Sequence, residues 1–281
     1  MLQSVGDFRD RCNEVSVHKL FGSESLRHVL RAEDIRAAGK TLAHEANLQK
    51  GEAVLDIATG PGTVARLAAA QLGPKGRVVA VDIAQPMLDI ARSKPPLADA
   101  ASIEYVQSAA TPLSAATGAF DAVLCQQGLQ FFPDKPGALR EMYRVLKPNG
   151  RAAIAVWAEI ERNSIFVAYH AALRATVPSE LAELATAPFS FPSGTVLMAA
   201  IEHAGFREVR LLTPTLPMVF EAGLDQAIQS FAATPVAPSV AALPQDVQEA
   251  FAARVRHEMT PLLRDGKVIG EMNSNIVVAY R

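Results

Sequence analysis

The stretch Val54-Leu55-Asp56-Ile57-Ala58-Thr59-Gly60-Pro61-Gly62-Thr63-Val64-Ala65 constrains the fold more than any other. A short apolar run carrying one acid stops at Gly-Pro-Gly. A helical pattern, Val64, Leu67, Ala68 and Leu72, begins at once. This order reads as a buried strand, a tight loop and a helix N-terminus. Glycines let the backbone approach a ligand closely, and the first helical turn leaves N–H groups without intrahelical partners. Gly60-x-Gly62-x-x-Ala65 satisfies the dinucleotide fingerprint literally, with Asp82 20 residues past Gly62. Asp56 points elsewhere. A carboxylate four residues before the first glycine suits a ligand with a positive ammonium or sulfonium better than an anionic pyrophosphate.

The chain has 281 residues, enough for one sizeable domain with an elaborate lid or for two small ones. Its net charge of −2, without a block of Lys or Arg, argues against nucleic acid as a partner. No run of about 18 apolar residues suggests a transmembrane helix. Met1 to Arg11 is polar and lacks a signal-peptide core, so a cytoplasmic protein is expected. Cys12 and Cys125 are far apart, and the six histidines fit no metal spacing, so no metal is expected.

Residues 1–50 carry apolar residues at helical spacing, broken by Gly22 and Gly39. Arg77 to Asp82 reads as a second strand ending in an acid, and in such folds that carboxylate accepts hydrogen bonds from both ribose hydroxyls. Ile83 and Met87 would sandwich an adenine. Ile103 to Gln107 and Phe120 to Cys125 read as the third and fourth strands. The segment after the fourth strand, Gln126 to Asp134, should lie at the crevice outside the strands' carboxyl ends. Gln127, Gln130 and Phe131 there are candidates for contact with a substrate. An amphipathic helix, Lys135 to Leu146, ends at Lys147-Pro148-Asn149-Gly150 and turns into a fifth strand, Arg151 to Trp157.

Together, the Asp-x-x-x-Gly-x-Gly loop, Asp82, Phe120-Asp121, Leu146-Lys147-Pro148-Asn149-Gly150-Arg151 and Ala204-Gly205-Phe206 resemble the class I S-adenosylmethionine-dependent methyltransferases. The nearest type is that of ubiquinone and menaquinone biosynthesis. The resemblance implies a Rossmann-like, mostly parallel seven-stranded α/β sheet with helices on both faces. Its last strand, Asn275 to Tyr280, would return antiparallel between the fifth and sixth. It implies a helical lid at 1–50, a cofactor-binding core at 51–212 plus 273–281, and a second lid formed by an insertion at 213–272. It implies S-adenosyl-L-methionine as cofactor, leaving as S-adenosyl-L-homocysteine, held by Asp56, Gly60, Gly62, Asp82, Ile83, Met87, Ala109, Ala110 and Gln126. Family members often place an acid where this chain has Ala109, so the adenine edge would be met by backbone or by Ser108.

Methyl transfer is an in-line displacement on a donor that carries its own activation, so no catalytic triad is expected. An acidic carbon or phenol as acceptor benefits from a base. His170, after the fifth strand, is the first candidate, followed by His18 and His28. The expected reaction is C- or O-methylation of a small apolar or aromatic molecule, with a homodimer as the possible assembly. Two other readings compete: a nicotinamide-dependent oxidoreductase, from the literal glycine fingerprint, and a non-catalytic S-adenosylmethionine-binding regulator.

Overall fold

The computed structural model describes residues 32–191, 193–231, 234 and 236–281, with side chains in the first helix from Arg36 onward. The first 31 residues of the expected N-terminal lid, with His18 and His28, lie outside the described residues.

Helix α1 (Ala32–Glu45) precedes five β-strands: β1 (Ala53–Ile57), β2 (Arg77–Asp82), β3 (Ser102–Gln107), β4 (Phe120–Gln126) and β5 (Leu146–Trp157). Helices α2 (Thr63–Leu72), α3 (Gln85–Arg92) and α4 (Lys135–Val145) connect β1 to β2, β2 to β3, and β4 to β5. Beyond β5 lie α5 (Ser164–Thr176), α6 (Ser179–Leu184), α7 (Gly194–His203), β6 (Arg207–Leu212) and β7 (Thr215–Phe220). The chain closes with α8 (Gly223–Ser230), α9 (Ala237–Ala241), α10 (Gln245–Met259), β8 (Leu263–Arg264) and β9 (Lys267–Tyr280).

The strand order is β3-β2-β1-β4-β5-β9-β6, parallel through β5, with β9 antiparallel between β5 and β6. The chain order reverses between β1 and β4, which opens a crevice at the carboxyl ends of those two strands. The expected sheet of seven strands is corrected to nine among the described residues: β7 and β8 also pair with β9. The reason is the length of β9. Its second half pairs with β5 and β6, while its first half runs past the sheet and pairs Val268–Asn273 with β7 and Lys267–Val268 with β8. Side chains alternate along this extension, with Val268, Gly270 and Met272 buried and Lys267, Ile269 and Glu271 exposed. That is the period of a half-buried strand.

Three apolar clusters follow from these layers. On one face of the sheet, Leu139 and Met142 of α4 and Leu197 and Ile201 of α7 pack on Leu55, Val123 and Val277. On the other, Leu42 of α1 and Ala65, Ala68 and Leu72 of α2 pack on Val54, Leu124 and Val278. The third cluster joins α5, α8 and α10 to the buried face of the β7–β9 ribbon through Ile165, Tyr169, Ala227, Met259, Val268 and Met272.

Polar contacts set the framework beneath the crevice. Asp134 caps α4 by accepting the Gly137 N–H at 2.8 Å, with Pro136 in the first turn. Asp121 accepts the Ala53 N–H at 2.9 Å and the Lys147 ammonium at 2.8 Å, so the Phe-Asp and Lys-Pro-Asn-Gly signatures meet on one ion pair. Burial pushes the Asp121 carboxyl up; Lys147 and the Ala53 N–H outweigh it and hold it below the usual range. Arg151, buried on β5, grips both Glu52 oxygens at 2.9 and 2.7 Å and donates to the Ala46 and Asn47 carbonyls. A lysine cannot reproduce this fork. Arg151→Lys is expected to cost about 1–2 kcal/mol, read as a lower urea midpoint with an unchanged slope.

Candidate cofactor and acceptor site

The loop after β1 is held in left-handed backbone at Ala58 (φ 57°), Gly60 (φ 54°) and Gly62 (φ 77°). Gly62 is the N-cap of α2 and provides no side-chain cap. A Cβ there would lie 2.8 Å from the Tyr105 hydroxyl and 3.0 Å from Ala91 Cβ, so both its φ and its packing call for glycine. Asp56 sits beneath the loop, 1% exposed. Its carboxylate accepts the Thr59 hydroxyl at 2.6 Å and the Ala65 backbone N–H. Burial dominates nonetheless and raises its pKa to about 7, with the Asp82 charge adding to the rise.

Asp82 closes β2 at the opposite side of the loop. One of its oxygens accepts the Gly60 N–H at 2.8 Å and the other the Ala84 N–H at 2.9 Å. Burial raises its pKa against these bonds. The Ile83 N–H is a third donor to this carboxylate, whose two oxygens together offer about four lone-pair sites. Ile83 next to it is 47% exposed, whereas Met87 is buried at 6%. Ile83 therefore presents an apolar face at the crevice, and Met87 packs inward from α3. Ala109 and Ala110 follow β3, both half-buried. The Ser108 hydroxyl donates to the Ala109 carbonyl at 2.9 Å, so its proton is already engaged.

The loop after β4 meets the loop after β1. A Cβ on Gly128 would lie 2.6 Å from Ala58 Cβ and 3.1 Å from the Cys125 sulfur. Gln127 beside it is also left-handed (φ 53°). Non-glycine residues hold this conformation only when their surroundings fix it. Here the Gln127 N–H donates to the Ala155 carbonyl at 2.8 Å and its amide donates to Ser274 Oγ at 2.8 Å. The Gln130 amide donates to Gln127 Oε1 at 3.1 Å, and Gln130 Oε1 is buried without a partner among the described residues. Gln126 abuts α1, where a Cβ on Gly39 would come within 3.0 Å of its Oε1. Phe131 is 39% exposed, while Phe132 packs on the main core.

Several residues of this region were not singled out from sequence. Trp157, Phe166 and Phe189 form an aromatic group beyond the end of β5, with ring centroids 5.2–6.0 Å apart. Ser190, next to Phe189, donates to the Gln130 carbonyl at 3.0 Å and ties this group to the β4 loop. Trp157 was findable as the last residue of a strand; Ser274 was not, lying 147 residues from the glutamine that it bonds. His170 lies on α5 one turn beyond Phe166, and its Nε2 is buried without a partner among the described residues. No hydrogen bond joins His170 to Gln127 or Gln130 among the described residues. Two clefts of about 390 and 520 Å³, beside β6 and beside the β7–β9 ribbon, contain none of these residues.

The crevice thus has two ends. Around β1 and β2 it offers two acids, one of them buried with its ionised form strongly disfavoured, and one exposed apolar side chain. That set fits a ligand with a cationic amino group, vicinal hydroxyls and a flat apolar ring. Around β4 and β5 it offers neutral amides and aromatic rings. Among the described residues, no three His, Cys, Asp or Glu side chains are grouped to hold a metal ion. No described helix is long and apolar enough to cross a membrane.

Comparison with known proteins identifies the family. Residues 28–219 match the profile of the ubiE/COQ5 methyltransferase family. The chain is 31% identical over 176 residues to the demethylmenaquinone methyltransferase of Listeria welshimeri, covering 59% of this chain and 75% of that protein. It is 33% identical over 172 residues to the 2-phytyl-1,4-naphtoquinone methyltransferase of Thermosynechococcus vestitus, covering 58% and 76%. The phosphoethanolamine N-methyltransferase 2 of Haemonchus contortus, solved with S-adenosyl-L-methionine, shares the fold over 98% of this chain and 60% of its own, with a TM-score of 0.57 at 16% identity. Fold and crevice are those of an S-adenosylmethionine-dependent methyltransferase. Within that class, the chain belongs to the ubiE/COQ5 methyltransferase family.

Proposed function

We propose that this enzyme methylates a ring carbon of a prenylated aromatic diol, of the kind formed by reducing a naphthoquinone. The observation that carries the reading is the similarity over more than half of the chain to two relatives named for naphthoquinone-type acceptors. Phe166, partly exposed near the β5 end of the crevice and backed by the buried Trp157 and Phe189, supports it, because an aromatic face suits a flat apolar ring.

In this reading Asp56 faces the cofactor's ammonium, directly or through one water, and the Gly60 and Gly62 backbone lies against its methionine part. Asp82 receives the ribose hydroxyls. Ile83 covers one adenine face with Met87 packed behind it, and Ala109, Ala110 and Gln126 complete the cofactor wall. S-adenosyl-L-methionine supplies a methyl group on a positively charged sulfur, already activated for displacement. The chain's own task is to orient the acceptor and exclude water. Gln127 and Gln130 offer hydrogen bonds to the acceptor hydroxyls, and Phe131 offers an apolar edge. His170 is the proposed proton acceptor. Residues 213–272 act as a lid over a core formed by 51–212 and 273–281; of the 1–50 segment, the described helix α1 packs on the sheet through Leu42.

The test is incubation with methyl-deuterated S-adenosyl-L-methionine and a prenylated 1,4-naphthohydroquinone, followed by mass and NMR analysis of the product. The expected product carries the labelled methyl on a ring carbon. A labelled methyl ether, or transfer only to acceptors without a ring hydroxyl, would overturn the assignment.

A further inference from the structure

The cofactor loop is wired almost entirely from within. The Thr59 N–H donates to the Val81 carbonyl and the Gly62 N–H to the Thr59 carbonyl, each at 3.0 Å. The Gly60 N–H donates to Asp82. These partners all belong to the loop or to the end of β2. A side-chain hydrogen bond reaches it from farther along the chain: the Lys94 ammonium, two residues past α3, donates to the Pro61 carbonyl at 2.6 Å.

Lys94 is the middle of a strap. Arg92 donates to the Tyr105 carbonyl at 2.7 Å, and Arg66, on the first turns of α2, donates to the Pro95 carbonyl at 2.8 Å. Residues 92–95 thereby run from β3 to α2 behind the loop, with the Tyr105 hydroxyl directly under Gly62. The Lys94 ammonium is half-buried, and burial, with the Arg66 charge adding to it, holds its pKa below the usual lysine range. A lysine drawn into such a position has given up hydration for this contact.

The geometry points to Lys94 as a positioning residue for the cofactor: by turning the Pro61 carbonyl toward α3, it fixes the Gly60-Pro61-Gly62 turn in its binding conformation. The turn needs such a hold. Proline fixes its own φ but not its ψ, and a glycine on each side permits peptide rotations that other residues resist. With the carbonyl released, the loop samples several turns, and the cofactor binds only the fraction that is competent.

This inference rests on assigning the Gly60–Gly62 loop to S-adenosyl-L-methionine, and the test separates the two. Calorimetric titration with S-adenosyl-L-methionine is run on wild type, Lys94→Met, Lys94→Arg and Asp82→Ala, with each variant's thermal midpoint measured without cofactor. Lys94→Met is expected to weaken binding about tenfold, with its midpoint within about 2 °C of wild type. Lys94→Arg, which keeps a cationic donor of similar reach, is expected to recover most of the loss. Wild-type affinity in Lys94→Met, with binding lost in Asp82→Ala, would overturn the role of Lys94 alone. Equal weakening in both Lys94 variants with a matching drop in midpoint would assign Lys94 to stability and overturn the positioning role. Wild-type affinity in Asp82→Ala would overturn the loop assignment, and the inference with it.

Discussion

Asp82→Ala is expected to weaken S-adenosyl-L-methionine binding by about 10²- to 10³-fold while leaving the circular dichroism spectrum of the fold unchanged. Two ribose hydroxyls donating to one carboxylate are charge-assisted hydrogen bonds, each worth about 1.5–3 kcal/mol. The same carboxylate also fixes the glycine loop through the Gly60 N–H at 2.8 Å. Removing it therefore costs both a ligand contact and the order of the loop. The fold should tolerate the change, because Asp82 closes a strand whose Val78, Ala80 and Val81 remain buried. Asp82→Asn separates the parts: it keeps a carbonyl acceptor but loses the charge, and is expected to fall between wild type and alanine. Binding by Asp82→Ala within about threefold of wild type would remove this residue from the site.

Cofactor affinity should also fall with acidity in a way that belongs to Asp56. In the protein without cofactor, burial raises the Asp56 pKa from 3.8 to about 7. The folded chain thus holds a proton between about pH 4 and 7 that the unfolded chain has lost. The cofactor-free protein consequently loses stability as pH rises through that window, by up to about 1.4 kcal/mol per pH unit, with no further loss above it. A cationic ammonium beside Asp56 favours the ionised carboxylate, so binding below about pH 7 expels that proton. Affinity is then expected to rise by up to about tenfold per unit between about pH 5 and 7 and to level off above. Burial also raises the Asp82 pKa, which adds to the slope. Asp56→Asn isolates the contribution of Asp56: the variant should bind more weakly at pH 7.5, yet be more stable without cofactor at that pH. A pH slope in Asp56→Asn as steep as in wild type would assign the linkage to another group.

Much of the β1–α2 loop and of the end of β2 could be read from sequence because their structure is local. The strand, glycine turn and helix start lie within 12 consecutive residues, and Asp82 ends a strand whose alternation is plain. The Phe120-Asp121 and Lys147-Pro148 signatures could be seen, but their pairing through Asp121 and Lys147 could not. The strand count was missed for a physical reason. Met218-Val219-Phe220 pairs with Val268-Ile269-Gly270 across a helical insertion, away from the β5 and β6 pairings, and neither reads as part of the main sheet alone. The acceptor end was least legible. Gln127 and Gln130 were picked as polar groups at a strand's carboxyl end, but the Ser274–Gln127–Gln130 chain and the aromatic group depend on contacts between distant segments. Lys94 escaped notice because a lysine just past an amphipathic helix ordinarily faces solvent.

The most direct test of the account is calorimetric titration of the wild-type protein with S-adenosyl-L-methionine and, in a separate run, with NADH. Micromolar binding of the methyl donor and no heat from NADH are expected, because Asp56 beneath the glycine loop matches an ammonium and opposes a pyrophosphate. Binding of NADH without binding of S-adenosyl-L-methionine would contradict it.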